Sequence, residues 1–286
     1  MSEFNTAPLI EARGLVYEYE GGTRALDGVD FTLRRGEITA LLGANGAGKS
    51  TFFLHLNGIL QPKSGEVLLD GAPLRYDRRS LLELRRRVGI VFQDPDDQLF
   101  SADVYSDISF GPINLGLSQD EVKKRVEYAM ECTGVKELRD RPTHALSHGQ
   151  KKRVAIAGVL AMEVELMVLD EPTAGLDPQG SSEIMKLLPT LSERLGMTII
   201  IATHDIDIVP LYCTRSVLLR RGKIGFSGTT ADLMTRPELL RANGLRLPRI
   251  AHLMEILHNR DGFDVDLSAS TISEARREIK RTITHG

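Results

Sequence analysis

Gly43-Ala44-Asn45-Gly46-Ala47-Gly48-Lys49-Ser50 has the spacing G-x-x-x-x-G-K-[ST]. Glycines at these positions let the main chain wrap tightly around a polyphosphate with its N–H groups turned inward. Lys49 then reaches the β- and γ-phosphates, and the Ser50 hydroxyl can ligate Mg²⁺. A second group is Asp170-Glu171, entered directly from the apolar run 166–169. A carboxylate at the end of a buried strand beside a phosphate loop holds Mg²⁺ through its water shell. The carboxylate next to it can orient and polarise an attacking water. An acidic pair before Pro172-Thr173 also suits a helix cap, but its company with Gly43–Ser50 favours the chemical role. The third group is Leu146-Ser147-His148-Gly149-Gln150. At a helix start, Ser147 and Gly149 can offer a hydroxyl and backbone N–H groups to an anion.

These groups need elements to position them. The phosphate loop lies between the apolar run 38–42 and a helix-like segment, Thr51 to Asn57, stopped by Gly58. Short apolar runs recur at 88–92, 166–169 and 198–202, each flanked by turn signals and separated by helical patterns. That pattern reads as buried parallel strands of an α/β sheet. Residues 9–33 and 66–71 read as short antiparallel strands beside the nucleotide, and 217–226 as a hairpin around Arg220-Arg221-Gly222-Lys223. Residues 94–162 are strand-poor and read as a helical insert, with a capping-box pattern at Ser118-x-x-Glu121. Beyond Arg236-Pro237, Ile250, Leu253, Met254 and Leu257 mark one helix face, and Ile272, Ala275, Ile279 and Ile283 mark a last one after Thr271-x-x-Glu274.

The 286 residues are 42% hydrophobic and 26% charged, ordinary values for a globular protein. A net charge of −3 gives no bulk electrostatic reason to bind nucleic acid. Two separated cysteines, Cys132 and Cys213, form neither a disulfide framework nor a zinc motif. Met1 to Pro8 is polar and reads as no signal peptide, and no run reaches the ~18 apolar residues of a membrane span. The expectation is a cytosolic protein, which works at a membrane only by docking to a partner.

With these motifs in order, residues 9–235 resemble the ATP-binding cassette (ABC) family. The stretch Leu146–Gln150 looks like its signature loop, and Gln93, Asp170-Glu171, Ala174-Gly175-Leu176-Asp177 and His204 follow the family's order. The resemblance implies an ATPase that uses ATP and Mg²⁺. ATP binding then falls to Gly43, Ala44, Asn45, Gly46, Ala47, Gly48, Lys49, Ser50 and Thr51, with Tyr19 stacking on adenine and Tyr17 as a competing candidate. Gln93, Ser50 and Asp170 address the metal; Gln93 also contacts the water. Glu171 is the general base and His204 the switch histidine at the γ-phosphate. Ser147, Gly149 and Gln150 complete the γ-phosphate site of an opposite subunit, and Asp177 couples the two sites. One departure is His148, where the family carries glycine; it is tolerable if its φ stays negative. His144 and His148 have i,i+4 spacing, but without a third ligand a metal site is not favoured.

The implied fold is α/β: a P-loop cassette with a RecA-like parallel-sheet core, a small antiparallel β-subdomain, a helical subdomain and a short, mainly helical C-terminal domain. The expected division is a nucleotide-binding domain at 1–235, its helical subdomain about 94–162, and a C-terminal dimerisation domain at 236–286. Gln93-Asp94-Pro95-Asp96-Asp97-Gln98-Leu99-Phe100 resembles the ATPases of energy-coupling-factor (ECF) importers, especially the cobalt and nickel type, and 245–253 resembles the start of that group's extra domain. The resemblance implies a homodimer, or a heterodimer with a related ATPase, docked as a peripheral subunit at the cytoplasmic face of the cell membrane on a transmembrane coupling subunit and a substrate-binding membrane subunit. Asp94, Asp96 and Asp97 are candidates to accept arginines of that coupling subunit. Cargo would not bind this chain. The rival readings are a vitamin importer of the same type, a soluble ABC protein acting on ribosomes or DNA, and a small-molecule phosphotransferase. The last leaves Ser147–Gln150 and His204 without a purpose.

Overall fold

The computed structural model describes residues 8–285; the polar N-terminal segment 1–7, read above as no signal peptide, lies outside them. The chain opens with β1 (Pro8–Glu18), β2 (Arg24–Arg34) and β3 (Ile38–Leu42), the last running into α1 (Lys49–Leu56). Then follow β4 (Ser64–Leu69), β5 (Ala72–Pro73), α2 (Arg78–Arg87) and β6 (Val88–Val91). Three helices come next, α3 (Val104–Asn114), α4 (Gln119–Thr133) and α5 (His148–Leu160). β7 (Leu166–Asp170), α6 (Pro178–Leu195), β8 (Thr198–Thr203) and the short α7 (Val209–Tyr212) return to strands. The hairpin β9 (Arg215–Arg220) and β10 (Lys223–Thr229) precedes α8 (Thr230–Met234), α9 (Pro237–Ala242), α10 (Arg249–Asn259) and α11 (Ile272–His285).

Two sheets result. The larger has the order β10-β9-β3-β8-β7-β6, parallel except where β10 pairs with β9. The smaller, β2-β1-β4-β5, is antiparallel. The central strands β3, β7 and β8 are buried along their whole length, as a parallel sheet covered on both faces requires. Alternation assigns each side chain a face. Ala40, Leu42, Met167, Leu169, Ile199 and Ile201 pack with α5 and α6 residues such as Ile156 and Leu188. Leu41, Leu166, Val168, Ile200 and Ala202 pack instead with the small sheet and with Phe52, Phe53 and Leu56 of α1. The helical stretch folds as α3, α4 and α5; Ser118 caps α4, accepting from Glu121 N at 3.3 Å.

The C-terminal residues divide between two clusters. Leu240, Leu245, Leu247 and Ala251 belong to the main core, whereas Met254, Val265, Ala269 and Ala275 form a small cluster of their own. Asp207, three residues after His204, accepts from Arg246 Nη2 and from Arg249 N, both at 2.7 Å, and so ties the loop after β8 to this segment.

Candidate functional site

Four adjacent parallel strands, β3, β8, β7 and β6, end at one edge of the larger sheet. β3 delivers the phosphate loop, β7 ends on Asp170, β8 leads to His204, and β6 leads through Phe92 to Gln93. This carboxyl edge is where open α/β sheets bind ligands. A cleft of about 490 Å³ opens there, lined by Tyr19, Asn45 to Thr51, Gln93, Asp170, Glu171 and His204. Gly43 and Ala44 are not part of its wall. An added Cβ at Gly43 would stand 2.4 Å from the Leu219 carbonyl oxygen, and Ala44 lines a neighbouring cavity shared with Arg220 and Asn243. They act as the loop's root.

Gly48 has φ 106°, and a Cβ there would meet the Ala25 carbonyl oxygen at 2.5 Å, so both backbone and space demand glycine. Lys49 is buried. Its Nζ donates to the carbonyls of Gly43 (2.8 Å) and Ala44 (3.4 Å) and lies 3.8 Å from Glu171 Oε1. Its ammonium is thereby held beside the inward-facing loop. Ser50 Oγ donates to Asp170 Oδ2 at 2.6 Å. Burial pushes the Asp170 carboxyl above its ordinary range, with the Ser50 bond working against that rise.

Glu171 adopts a left-handed backbone, φ 45°, immediately after the strand. Its Oε2 accepts from the ring Nδ1 of His204 at 3.0 Å and from His204 N at 3.4 Å. The Glu171 side chain is 7% exposed and the His204 ring 65% exposed. The carboxylate is fixed while its partner has room to turn toward a ligand.

The two tyrosines separate. Tyr19 is exposed and lines the cleft, its hydroxyl 2.9 Å from Thr51 Oγ1. Tyr17 packs edge-on against both Tyr19 and His55, facing away into the apolar cluster. Thr23 of the β1–β2 turn and Arg24 and Ala25 at the start of β2 also line the cleft, and sequence reasoning missed them. Gly21-Gly22 announces a turn, but the link from β2 to the phosphate loop is non-local: Asp27 N donates to Gly222 O at 2.8 Å, and Gly222 N donates to Ala47 O at 2.9 Å.

Ser147, Gly149, Gln150 and Asp177 come together elsewhere, in a cavity of about 520 Å³ that shares no lining residue with the first. Ser147 caps α5 through a complete capping box: Gln150 N donates to Ser147 Oγ at 3.3 Å, and Ser147 N donates to Gln150 Oε1 at 3.0 Å. His148 lies in the first helical turn, and its φ is not among the positive ones. Its ring lies against Gly175 (φ 74°), where an added Cβ would be 3.1 Å from Nε2. Asp177 caps α6, accepting from Gly180 N at 2.6 Å.

Of the three acidic residues after Gln93, two already have partners. Asp94 caps a short 3₁₀ turn by accepting from Asp96 N at 3.0 Å, and Asp96 pairs with Lys151 at 2.5 Å. Lys152, which sequence reasoning did not single out, is wholly buried and reaches the Gln93 segment. Burial pushes its ammonium down to about 8, opposed by the carboxylates of Asp170, Asp94 and Glu171.

Comparison with known proteins agrees with this geometry. The family model described as ABC transporter matches residues 26–174. The energy-coupling factor transporter ATP-binding protein EcfA3 of Clostridium perfringens is 54% identical over 95% of each chain. EcfA of Methanocaldococcus jannaschii is 52% identical over 95% of this chain and 96% of its own. Among solved structures, cbiO1 of Clostridium perfringens, part of the ABC transporter complex cbiONQ, superposes with TM-score 0.76 at 55% identity, covering 87% of this chain and all of its own. A dimeric ATP-binding cassette in a post-hydrolysis state with ADP and Pi superposes with TM-score 0.70 at 27% identity, covering 77% of this chain and 98% of its own. A cleft with Lys49, Gln93, Asp170, Glu171 and His204 at four strand ends, and relatives of this identity along nearly the whole chain, place the protein in the ABC transporter family as an ATP-hydrolysing subunit of the energy-coupling-factor type.

Proposed function

We propose that this chain powers import of cobalt, or of the chemically similar nickel ion, by closing a head-to-tail dimer around ATP and hydrolysing it. The observation that carries the reading is the split of the site into two cavities. One holds Lys49, Glu171 and His204, and the other holds Ser147, Gly149 and Asp177. Each chain thus supplies a binding face and a completing face, and a second copy or a related ATPase supplies the complement. Residues 236–286 serve as the C-terminal dimerisation domain in this reading, and 94–162 as the helical subdomain.

Tyr19 stacks on the base, the loop rooted at Gly43 and Ala44 wraps the phosphates with Asn45 to Thr51, and Lys49 moves from its carbonyls to the β- and γ-phosphates. The residues fit Mg²⁺: Ser50 Oγ and Asp170 Oδ2 meet at 2.6 Å, and Gln93 lines the same cleft. Among the described residues no three His, Cys, Asp or Glu side chains form a metal-binding group. That suits an ion held by one or two protein oxygens plus substrate phosphates. When bound, Mg²⁺ neutralises charge on the β- and γ-phosphate oxygens. Glu171 accepts a proton from the attacking water as the new O–P bond forms. The bond from the γ-phosphorus to the β–γ bridging oxygen breaks, and ADP leaves with its electrons. His204 turns from Glu171 to hold the γ-phosphate and the water.

No helix among the described residues is long and apolar enough to cross a membrane. We place the chain at the cytoplasmic face, docked on a coupling subunit and a substrate-binding subunit. Asp97 is the one of the three acidic residues whose carboxylate has no partner among the described residues, and it is the one best suited to accept a partner's arginine. Cobalt is favoured by the 93–100 segment and by the likeness to cbiO1. The test is uptake by proteoliposomes holding this chain with its co-encoded membrane subunits. ATP-dependent accumulation of Co²⁺ or Ni²⁺ is expected; accumulation of a vitamin with neither ion would overturn the cargo assignment.

A further inference from the structure

Three consecutive cations follow the signature loop, and each is committed to a different neighbour. Lys151 pairs with Asp96, and Arg153 pairs with Glu183 of α6. Lys152 has no carboxylate within ion-pair distance among the described residues. Its side chain is wholly buried, and its Nζ donates to the main-chain carbonyls of Phe92 (3.1 Å) and Gln93. A buried ammonium without a paired charge is costly, so its hydrogen bonds are hard to give up. Attraction from Asp170, Asp94 and Glu171 helps to hold it there.

Two features of this grip matter. It takes Gln93 by the main chain and leaves the side chain free to line the nucleotide cleft. It also comes from α5, four residues after His148 and about 6 Å along the same rigid helix from the signature loop. Any displacement of α5 caused by a ligand at Ser147–Gln150 therefore displaces the carbonyls of Phe92 and Gln93 as well.

We propose that Lys152 is a positioning residue for ATP hydrolysis, fixing Gln93 through its main chain and coupling it mechanically to the signature loop. This rests on the role assigned to Gln93 above. The effect travels through Gln93, since the ammonium faces carbonyls and not the cleft.

The experiment measures kcat, KM for ATP and amide hydrogen exchange of residues 92–98 in full-length Lys152→Arg, Lys152→Gln and Lys152→Met, with Gln93→Ala alongside. Across the folded variants, kcat should fall as exchange of 92–98 rises, by about tenfold or more for Met, while KM stays within about threefold. Arg, which keeps the donors, should remain nearest to the parent. The Gln93→Ala, Lys152→Met combination should lose no more than Gln93→Ala alone, because one acts through the other. If Lys152→Met does not fold, the comparison of Arg with Gln carries the same test. Turnover falling without faster exchange at 92–98, faster exchange without loss of turnover, or multiplying losses in the combined variant would each overturn the proposal. If Gln93→Ala itself keeps full turnover, the role of Gln93 falls and the proposal falls with it. If only the Lys152 variants fail to conform, Gln93 stands and the clamp alone is wrong.

Discussion

At the scale of the residue, Glu171 combines two unusual properties. It sits in a left-handed backbone conformation costing of the order of 1 kcal/mol for a non-glycine residue, and it buries a carboxylate. The main chain turns there because Asp170 ends a strand while Glu171 must face back over the phosphate loop, where its two oxygens address Lys49 and His204. Replacing the carboxylate by an amide keeps shape and hydrogen bonding but removes the base. Glu171→Gln should lower kcat by about 10²–10⁴-fold while leaving ATP affinity nearly intact. It should also accumulate an ATP-bound dimer, visible by size-exclusion chromatography. Undiminished turnover would remove Glu171 from the role of base. Asp170-Glu171 was legible in the sequence because both residues adjoin an apolar run of strand length. The sequence favoured Tyr19 but left Tyr17 in competition, because both lie on β1 or just after it; the packing of Tyr17 on His55 is what separates them in the fold.

At the scale of the element, strand ends at the edge opposite the cleft are joined by charge. Arg35 follows β2, Asp70 follows β4, Arg87 ends α2 and Glu165 precedes β7; both arginines reach both carboxylates. The bond from Arg87 is the largest influence on the Glu165 carboxyl and, helped by Arg35, holds it below its usual range against the upward push of burial. A carboxyl lowered by folding contributes stability above its unfolded value, about 4.3, and loses it as pH falls through the lower folded value. Thermal unfolding should therefore begin to ease below about pH 4 in the parent. Arg87→Gln should lower Tm modestly at neutral pH, since each part-exposed pair is worth about 0–1 kcal/mol, and should flatten the acid dependence. A variant with an unchanged acid profile would show that the network contributes nothing. The individual strands were readable from their apolar runs. This network was not, because residues up to 130 apart in sequence meet only after the sheet order is set. Lys152 and the β1–β2 turn escaped for the same reason.

At the scale of the whole molecule, the residues proposed for the ATP site occupy two cavities with no residue in common. The sequence showed both sets of motifs; the strand order places the first set along one sheet edge, and α5 carries the second away from it. This separation has a genetic consequence. A chain disabled in one cavity keeps the other whole, so two dead variants can rescue each other. Lys49→Ala should abolish turnover alone, and so should Ser147→Arg alone. Mixed in equal amounts and allowed to exchange subunits, half of the dimers pair one of each. Every such dimer holds one intact site, built from the phosphate loop of one chain and the signature loop of the other. Turnover should return to about a quarter of the parent value if the sites work independently. Complementation of that size would be the signature of a site that belongs to neither chain.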